Sequence, residues 1–304
     1  MDHIERYDER FFDCRKSQIL ACLHKDNVDI VPFFFNTYQS TDRIYQQICV
    51  EGKTRWKYTD DSLSEQDLAR KGITLVRVSF DRFQDASEYL KTLTARIKVA
   101  YLWGDEYYLP YRKEAYQNIH SVHSYMVTGY DGATKSYYVQ DWDGLYGYLE
   151  ESHIQNAYDH LPDRYRNIEH LEYRSDGLRY NFQEDFELFL GWLRSFKDEG
   201  QYYRYAVEGA STLERQKLTA MEHGFAIIAS SRYVFSKFLQ YVNCDKRLVT
   251  EVLECHRFAK LIQTIIRRYL LSSVVDQSDL VDKIVDLEKR ERSFIRDLRE
   301  RYLT

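Results

Sequence analysis

The chain has 304 residues, 44% of them hydrophobic and 30% charged, with a formal net charge of −5. That length fits one large or two modest domains with enough apolar side chains to bury a core, and the acidic balance argues against nucleic acid as the main partner, because phosphate binding calls for a basic face. No apolar run approaches the roughly 20 residues that cross a bilayer, and none follows the charged start Met1-Asp2-His3-Ile4-Glu5-Arg6, so neither a membrane partner nor a secretion signal is expected and the chain reads as cytoplasmic.

Asp13 is placed to cap a helix that runs from Cys14 to about Leu23. Ile30-Val31-Pro32-Phe33-Phe34-Phe35 follows as a short apolar segment after a loop. Ser64–Lys71 has a capping-box-like start and is stopped by Gly72; Ile73–Val78 then alternates as a strand. Ala86–Ile97 has helical spacing, Val99–Trp103 is a strand, and Ser124–Thr128 and Ser136–Gln140 flank the hairpin-type turn Gly129-Tyr130-Asp131-Gly132. All three prolines, Pro32, Pro110 and Pro162, precede the polar stretch Asp163–Asp176, which is the expected boundary. Beyond it the period becomes helical. Leu188, Leu190, Trp192, Leu193 and Phe196 suit one buried face. Long segments are expected around Thr212–Tyr241 and Lys246–Leu271, and Ser278–Leu303 places Leu280, Ile284, Leu287, Phe294, Ile295, Leu298 and Tyr302 on one side. The reading is therefore α+β, with domains at 1–165 and 175–304, the second all-α.

Five cysteines, Cys14, Cys22, Cys49, Cys244 and Cys255, form no CxxC pair, and reduced thiols are expected. Cys14 stands apart because it opens a helix, whose macrodipole favours a thiolate. His123 stands at the mouth of a strand. Asp141 ends the paired strand, where its carboxylate can orient the imidazole. Nucleophile, base and orienting acid in that order are what thiol-dependent acyl transfer requires. His120 competes with His123 for the base role. A His-x-x-His metal site has no further ligands at suitable spacing, so no metal and no bound cofactor is expected. Asp105, Tyr107 and Tyr108, at a strand end before Pro110, are candidates to line a substrate cleft. Tyrosine, at 27 residues, exceeds what a core needs; such rings suit a partner or an elongated substrate, although composition bias gives the same count.

The run Trp103–Tyr116, then His120, His123, Gly129-Tyr130-Asp131 and Tyr137-Tyr138-Val139-Gln140-Asp141-Trp142, resembles the N-terminal domain of the butirosin biosynthesis protein H family over roughly residues 8 to 150. The resemblance implies a papain-like cysteine-protease-type fold for the N-terminal domain, and acyl transfer in secondary-metabolite biosynthesis. An acyl group would pass from a carrier-protein thioester, on its phosphopantetheine arm, through acyl-Cys14 to a small amine acceptor. Cys14 takes the nucleophile position, His123 the base and Asp141 the acid; Asp105, Tyr107, Tyr108, His120 and Trp142 fall where substrate would be met. The glutamine that papain-like peptidases carry a few residues before the cysteine is missing from Glu5-Arg6-Tyr7-Asp8-Glu9-Arg10, which leaves the Cys14 backbone N–H as the one oxyanion donor named. The same triad serves a thioesterase or a peptide or amide hydrolase. A non-catalytic module that docks an acyl or peptidyl carrier protein or a peptide is the alternative outside enzymology, and a homodimer is left open.

Overall fold

The computed structural model describes Ile4 and residues 11–97, 99–142, 145–175, 177–272 and 276–303. In chain order these form α1 (Cys14–Lys25), α2 (Thr41–Ile44), α3 (Glu65–Arg70), β1 (Ile73–Ser79), α4 (Phe83–Arg96), β2 (Ala100–Asp105), β3 (Val122–Asp131), β4 (Ser136–Asp141), β5 (Leu145–Glu150), α5 (Glu151–Asp159), β6 (Asn167–Tyr173), α6 (Phe182–Ser195), α7 (Gln201–Thr212), α8 (Arg215–Tyr241), α9 (Lys246–Ser272) and α10 (Gln277–Tyr302). The chain is α+β, and it gathers into two compact units. One is built on Cys14–Val28 with Glu65–Arg179; the other joins Asp29–Ser64 to Tyr180–Thr304.

The first unit is an antiparallel sheet in the order β1-β6-β2-β3-β4-β5. Side chains alternate across a strand, so one set, Leu102, Tyr125, Val127, Tyr137, Val139 and Ile168, packs with Ala86, Leu90 and Leu93 of α4 and Ile154 and Ala157 of α5. The intervening residues of β3 meet α1. Cys22 Sγ lies 3.8 Å from Met126 Sδ, and the Gln18 side chain donates to the Ser124 carbonyl at 2.8 Å while accepting from the Ser124 hydroxyl at 2.5 Å. That exchange ties the helix that begins at Cys14 to the strand that carries His123.

The polar stretch expected to separate the domains instead contains β6, a strand between β1 and β2. Its polar residues hide it from a hydrophobic pattern. Glu169 is 3% exposed, and it is accommodated because Arg15 (3.3 Å) and Arg77 (2.7 Å) neutralise it. Asp176, the end of that stretch, lies outside the described residues. Gly104 of β2 has a strict steric reason: a Cβ there would lie 2.8 Å from Cε1 of Tyr125. Gly104→Ala forces the Tyr125 ring to shift and should lower stability by about 1–3 kcal/mol, read as the urea midpoint. An unchanged midpoint would mean that the ring yields freely.

In the second unit α8 and α9, each 27 residues, pack along one another with α10, α7 and α6 around them. The expected segment around Thr212–Tyr241 is α8, Arg215–Tyr241, and Leu213 in the left-handed region (φ 55°) separates it from α7. Asp29–Ser64, assigned by chain order to the N-terminal domain, packs in this unit, and Ile30–Phe35 there forms a 3-10 turn over Val31–Phe34 with Pro32 in its first turn. At its centre Arg232, 0% exposed, makes a two-pronged pair with Glu291 at 2.6 and 2.8 Å, donates to the Gln39 carbonyl at 2.6 Å, and lies 3.6 Å from the centre of the Tyr38 ring. Tyr203 donates to the same carboxylate at 2.7 Å. Among the described residues no helix is long and apolar enough to cross a membrane.

Candidate active site

Three adjacent strands of the first unit bring the site together. β2 and β3 pair with Gly104 opposite His123, and β3 and β4 pair with Met126 opposite Gln140. Carried one residue on, the second register puts Tyr125 opposite Asp141, so His123 and Asp141 are diagonal neighbours on one face. His123 is thus the second residue of β3 rather than a residue preceding it. Its Nε2 lies 2.8 Å from Asp141 Oδ2, with the two residues 6% and 3% exposed. Cys14 is the first residue of α1, is half-buried, and is near enough to the imidazole to help raise its pKa. Since Asp141 holds Nε2, Nδ1 is the ring nitrogen left for the sulfur.

The electrostatics favour a charged imidazole. Burial alone would lower the His123 pKa, but the hydrogen bonds and charges of Asp141 and Cys14 outweigh it and raise the value to about 10. The Tyr111 hydroxyl lies beside Asp141; burial first, and then that charge, push the Tyr111 phenol well up. The other thiols are unsuited to attack. Burial pushes Cys22 and Cys49 up to about 12 and raises Cys244 and Cys255 as well, so at neutral pH they stay protonated.

A pKa raised on folding means that the native state binds the proton more tightly than the unfolded chain does. The stabilisation is therefore complete below the ordinary His value of 6.5 and fades as pH rises toward 10. The stability advantage of the wild type over Asp141→Asn should shrink across that window, as measured by thermal unfolding at several pH values. An advantage independent of pH would contradict the pairing.

Of the remaining residues singled out in the sequence, Asp105, Tyr107, Tyr108 and His120 gather in a second group. Asp105 is buried and turned to its own loop, accepting from the backbone N–H of Tyr107 (3.1 Å) and of Ser121 (3.2 Å) and pairing with His120 Nδ1 at 2.6 Å. His120 is thus bound to Asp105, with its side chain 64% exposed. The Tyr107 ring stacks on His120 and the Tyr108 ring on His160, each with centroids 4.3 Å apart. Trp142 donates from its indole N–H to the Ile4 carbonyl at 3.2 Å. Glu5–Arg10, the stretch without the expected glutamine, lies outside the described residues. The glutamine after the cysteine, Gln18, is committed to Ser124.

Glu106 escaped the sequence reading. It lies two residues beyond Gly104 in the 3-10 turn Glu106–Tyr108, with Oε1 3.7 Å from His123 Nδ1 and 2.5 Å from Arg112 Nη2. Counting register outward from the Gly104–His123 pair would have found it. Carboxylate, imidazole and carboxylate consequently lie in a row from the turn after β2 across β3 to β4.

A half-buried thiol at a helix start, near a histidine that a buried carboxylate holds, is the arrangement that a cysteine nucleophile with a base and an orienting acid would need. Residues 33–142 match the family described as butirosin biosynthesis protein H, N-terminal. Over 299 residues the chain is 48% identical to a Niallia circulans protein, covering 98% of this chain and 99% of that one; it is named ribostamycin:4-(gamma-L-glutamylamino)-(S)-2-hydroxybutanoyl-[BtrI acyl-carrier protein] 4-(gamma-L-glutamylamino)-(S)-2-hydroxybutanoate transferase. The chain belongs to the butirosin biosynthesis protein H family.

Proposed function

We propose that this protein is an acyltransferase that moves an acyl group from a carrier-protein thioester to an amine, with Cys14 as nucleophile, His123 as base and Asp141 as the acid that orients it. The observation that carries the reading is the buried His123–Asp141 pair, 2.8 Å between ring and carboxylate, with Cys14 at the start of α1 acting on the same ring. The name of the Niallia circulans relative supports the donor and acceptor classes: an acyl-carrier-protein thioester and an aminoglycoside such as ribostamycin. A papain-like fold for the first unit has the same support, a cysteine at a helix start against an antiparallel sheet that supplies histidine and acid. The five cysteines would remain thiols in a reducing cytoplasm.

Cys14 thiolate attacks the carbonyl of a thioester borne on a phosphopantetheine arm, and a C–S bond to the enzyme forms. The carrier sulfur leaves with the electron pair and takes the proton of the His123 imidazolium. The acyl-enzyme then meets a neutral amine; its nitrogen attacks, its proton passes to His123, and Cys14 departs as thiolate beside the restored imidazolium. One thioester replaces another in the first half, so catalysis there is chiefly a matter of placement. Incubation with carrier-bound acyl thioester and ribostamycin, followed by mass spectrometry of the products, should yield the amide. Free acid alone would make the protein a thioesterase, and no turnover would favour a carrier-docking module.

A further inference from the structure

We propose that Glu106, together with the aromatic stacks that follow it in the chain, forms the subsite for the acceptor, recognised as a compact polycation bearing at least two amines; this rests on the acyl-transfer reading above. Two features distinguish Glu106 from a carboxylate that merely supports the fold. First, Oε1 faces His123 Nδ1 at 3.7 Å, on the side of the ring away from Asp141. A single nitrogen atom can lie within hydrogen-bond reach, about 2.9 Å, of two atoms so spaced. The attacking amine needs such a position: it must give its proton to His123 while being held. Second, Arg112 Nη2 pairs with Oε1 at 2.5 Å while the Glu106 side chain keeps 11% of its exposure, so the carboxylate is held in place and still reachable. An acceptor amine, with more than one N–H, can donate to it as well as to His123.

The stacks extend the same logic. Tyr107 and Tyr108 follow Glu106 directly, and His120 and His160 brace their rings. Ring faces attract cations. An acceptor anchored through one amine at Glu106 therefore has a place for its further ammonium groups, whereas a single isolated amine gains only the first contact. Asp105 holds this platform by bonding Tyr107, Ser121 and His120 at once.

Calorimetric titration with ribostamycin tests the subsite without any turnover. Glu106→Gln keeps the size of the side chain and a partner for Arg112 but loses the charge, and binding should weaken about 30-fold, the range of a charge-assisted hydrogen bond. Glu106→Asp, which retains the carboxylate, should recover part of it. Acylation of Cys14 by the carrier thioester, followed by intact mass, should fall by a smaller factor than the ribostamycin affinity in Glu106→Gln. Equal ribostamycin affinity in wild type and Glu106→Gln overturns the proposal. So does equal loss of binding and acylation, which would make Glu106 a support for His123. If no acyl adduct forms even on the wild type while binding still falls in Glu106→Gln, the acyl-transfer reading fails and the subsite stands.

Discussion

Cys14→Ala should reduce acyl transfer by about 10⁴-fold or more, equivalent to at least about 5 kcal/mol of barrier, while leaving the fold intact. The size of the effect follows from the chemistry. Without the sulfur no acyl-enzyme forms, so the amine must attack the carrier thioester directly, with His123 as the one remaining base. No other thiol can substitute, because Cys22 and Cys49 are pushed up to about 12 and are buried or partly so, and Cys244 and Cys255 are raised too. The fold should survive, because Cys14 is half-buried at the first position of α1 and the Gln18–Ser124 exchange holds the helix one turn later. The check is a single-turnover assay beside a circular dichroism spectrum. Activity within tenfold of the wild type would remove Cys14 from the mechanism.

The second large effect is on stability. Glu291→Ala should cost the helical unit about 3–5 kcal/mol, because it leaves the Arg232 guanidinium buried with no counter-charge. Arg232 is 0% exposed, and Glu291 supplies both of its carboxylate contacts, at 2.6 and 2.8 Å. Tyr203 loses its acceptor as well. Removing both charges together, as Arg232→Met with Glu291→Leu, should recover most of the loss, since a packed apolar pair has no such desolvation penalty. Chemical denaturation followed by tryptophan fluorescence reads this, with Trp192 near the site. A cost below 1 kcal/mol would mean that water reaches the guanidinium on unfolding no more easily than in the fold.

The legible parts of this chain are those where one residue type has one use. Cys14, His123 and Asp141 could be picked out in order because each stands at or near the end of an element: the start of α1, the start of β3, the end of β4. The long amphipathic helices were legible because their apolar periodicity runs for seven turns. What resisted reading was burial achieved by pairing rather than by apolarity. β6 carries Glu169 and His170 inside the sheet, and only Arg15 and Arg77, distant in sequence, make that tolerable. Asp29–Ser64 lies before the sheet in sequence yet packs with the helices, because its contacts are non-local: Thr41 donates to Asp198, and Arg232 to Gln39. Glu106 was hidden for a related reason. Nothing in Trp103–Tyr116 marks it until the β2–β3 register sets it beside His123. The same register turned Asp105, which read as a substrate contact, into the clamp of its own loop.

In the proposed mechanism an acyl group resides on Cys14 between donor and acceptor. Intact-protein mass spectrometry after incubation with a carrier-bound acyl thioester, without amine, addresses it directly, with peptide mapping to place the adduct. An added acyl mass should appear on the wild type, map to Cys14, be absent from Cys14→Ala, and be discharged when ribostamycin is added. An adduct mapped to another residue, or amide product from wild type that never carries the acyl mass, would contradict it.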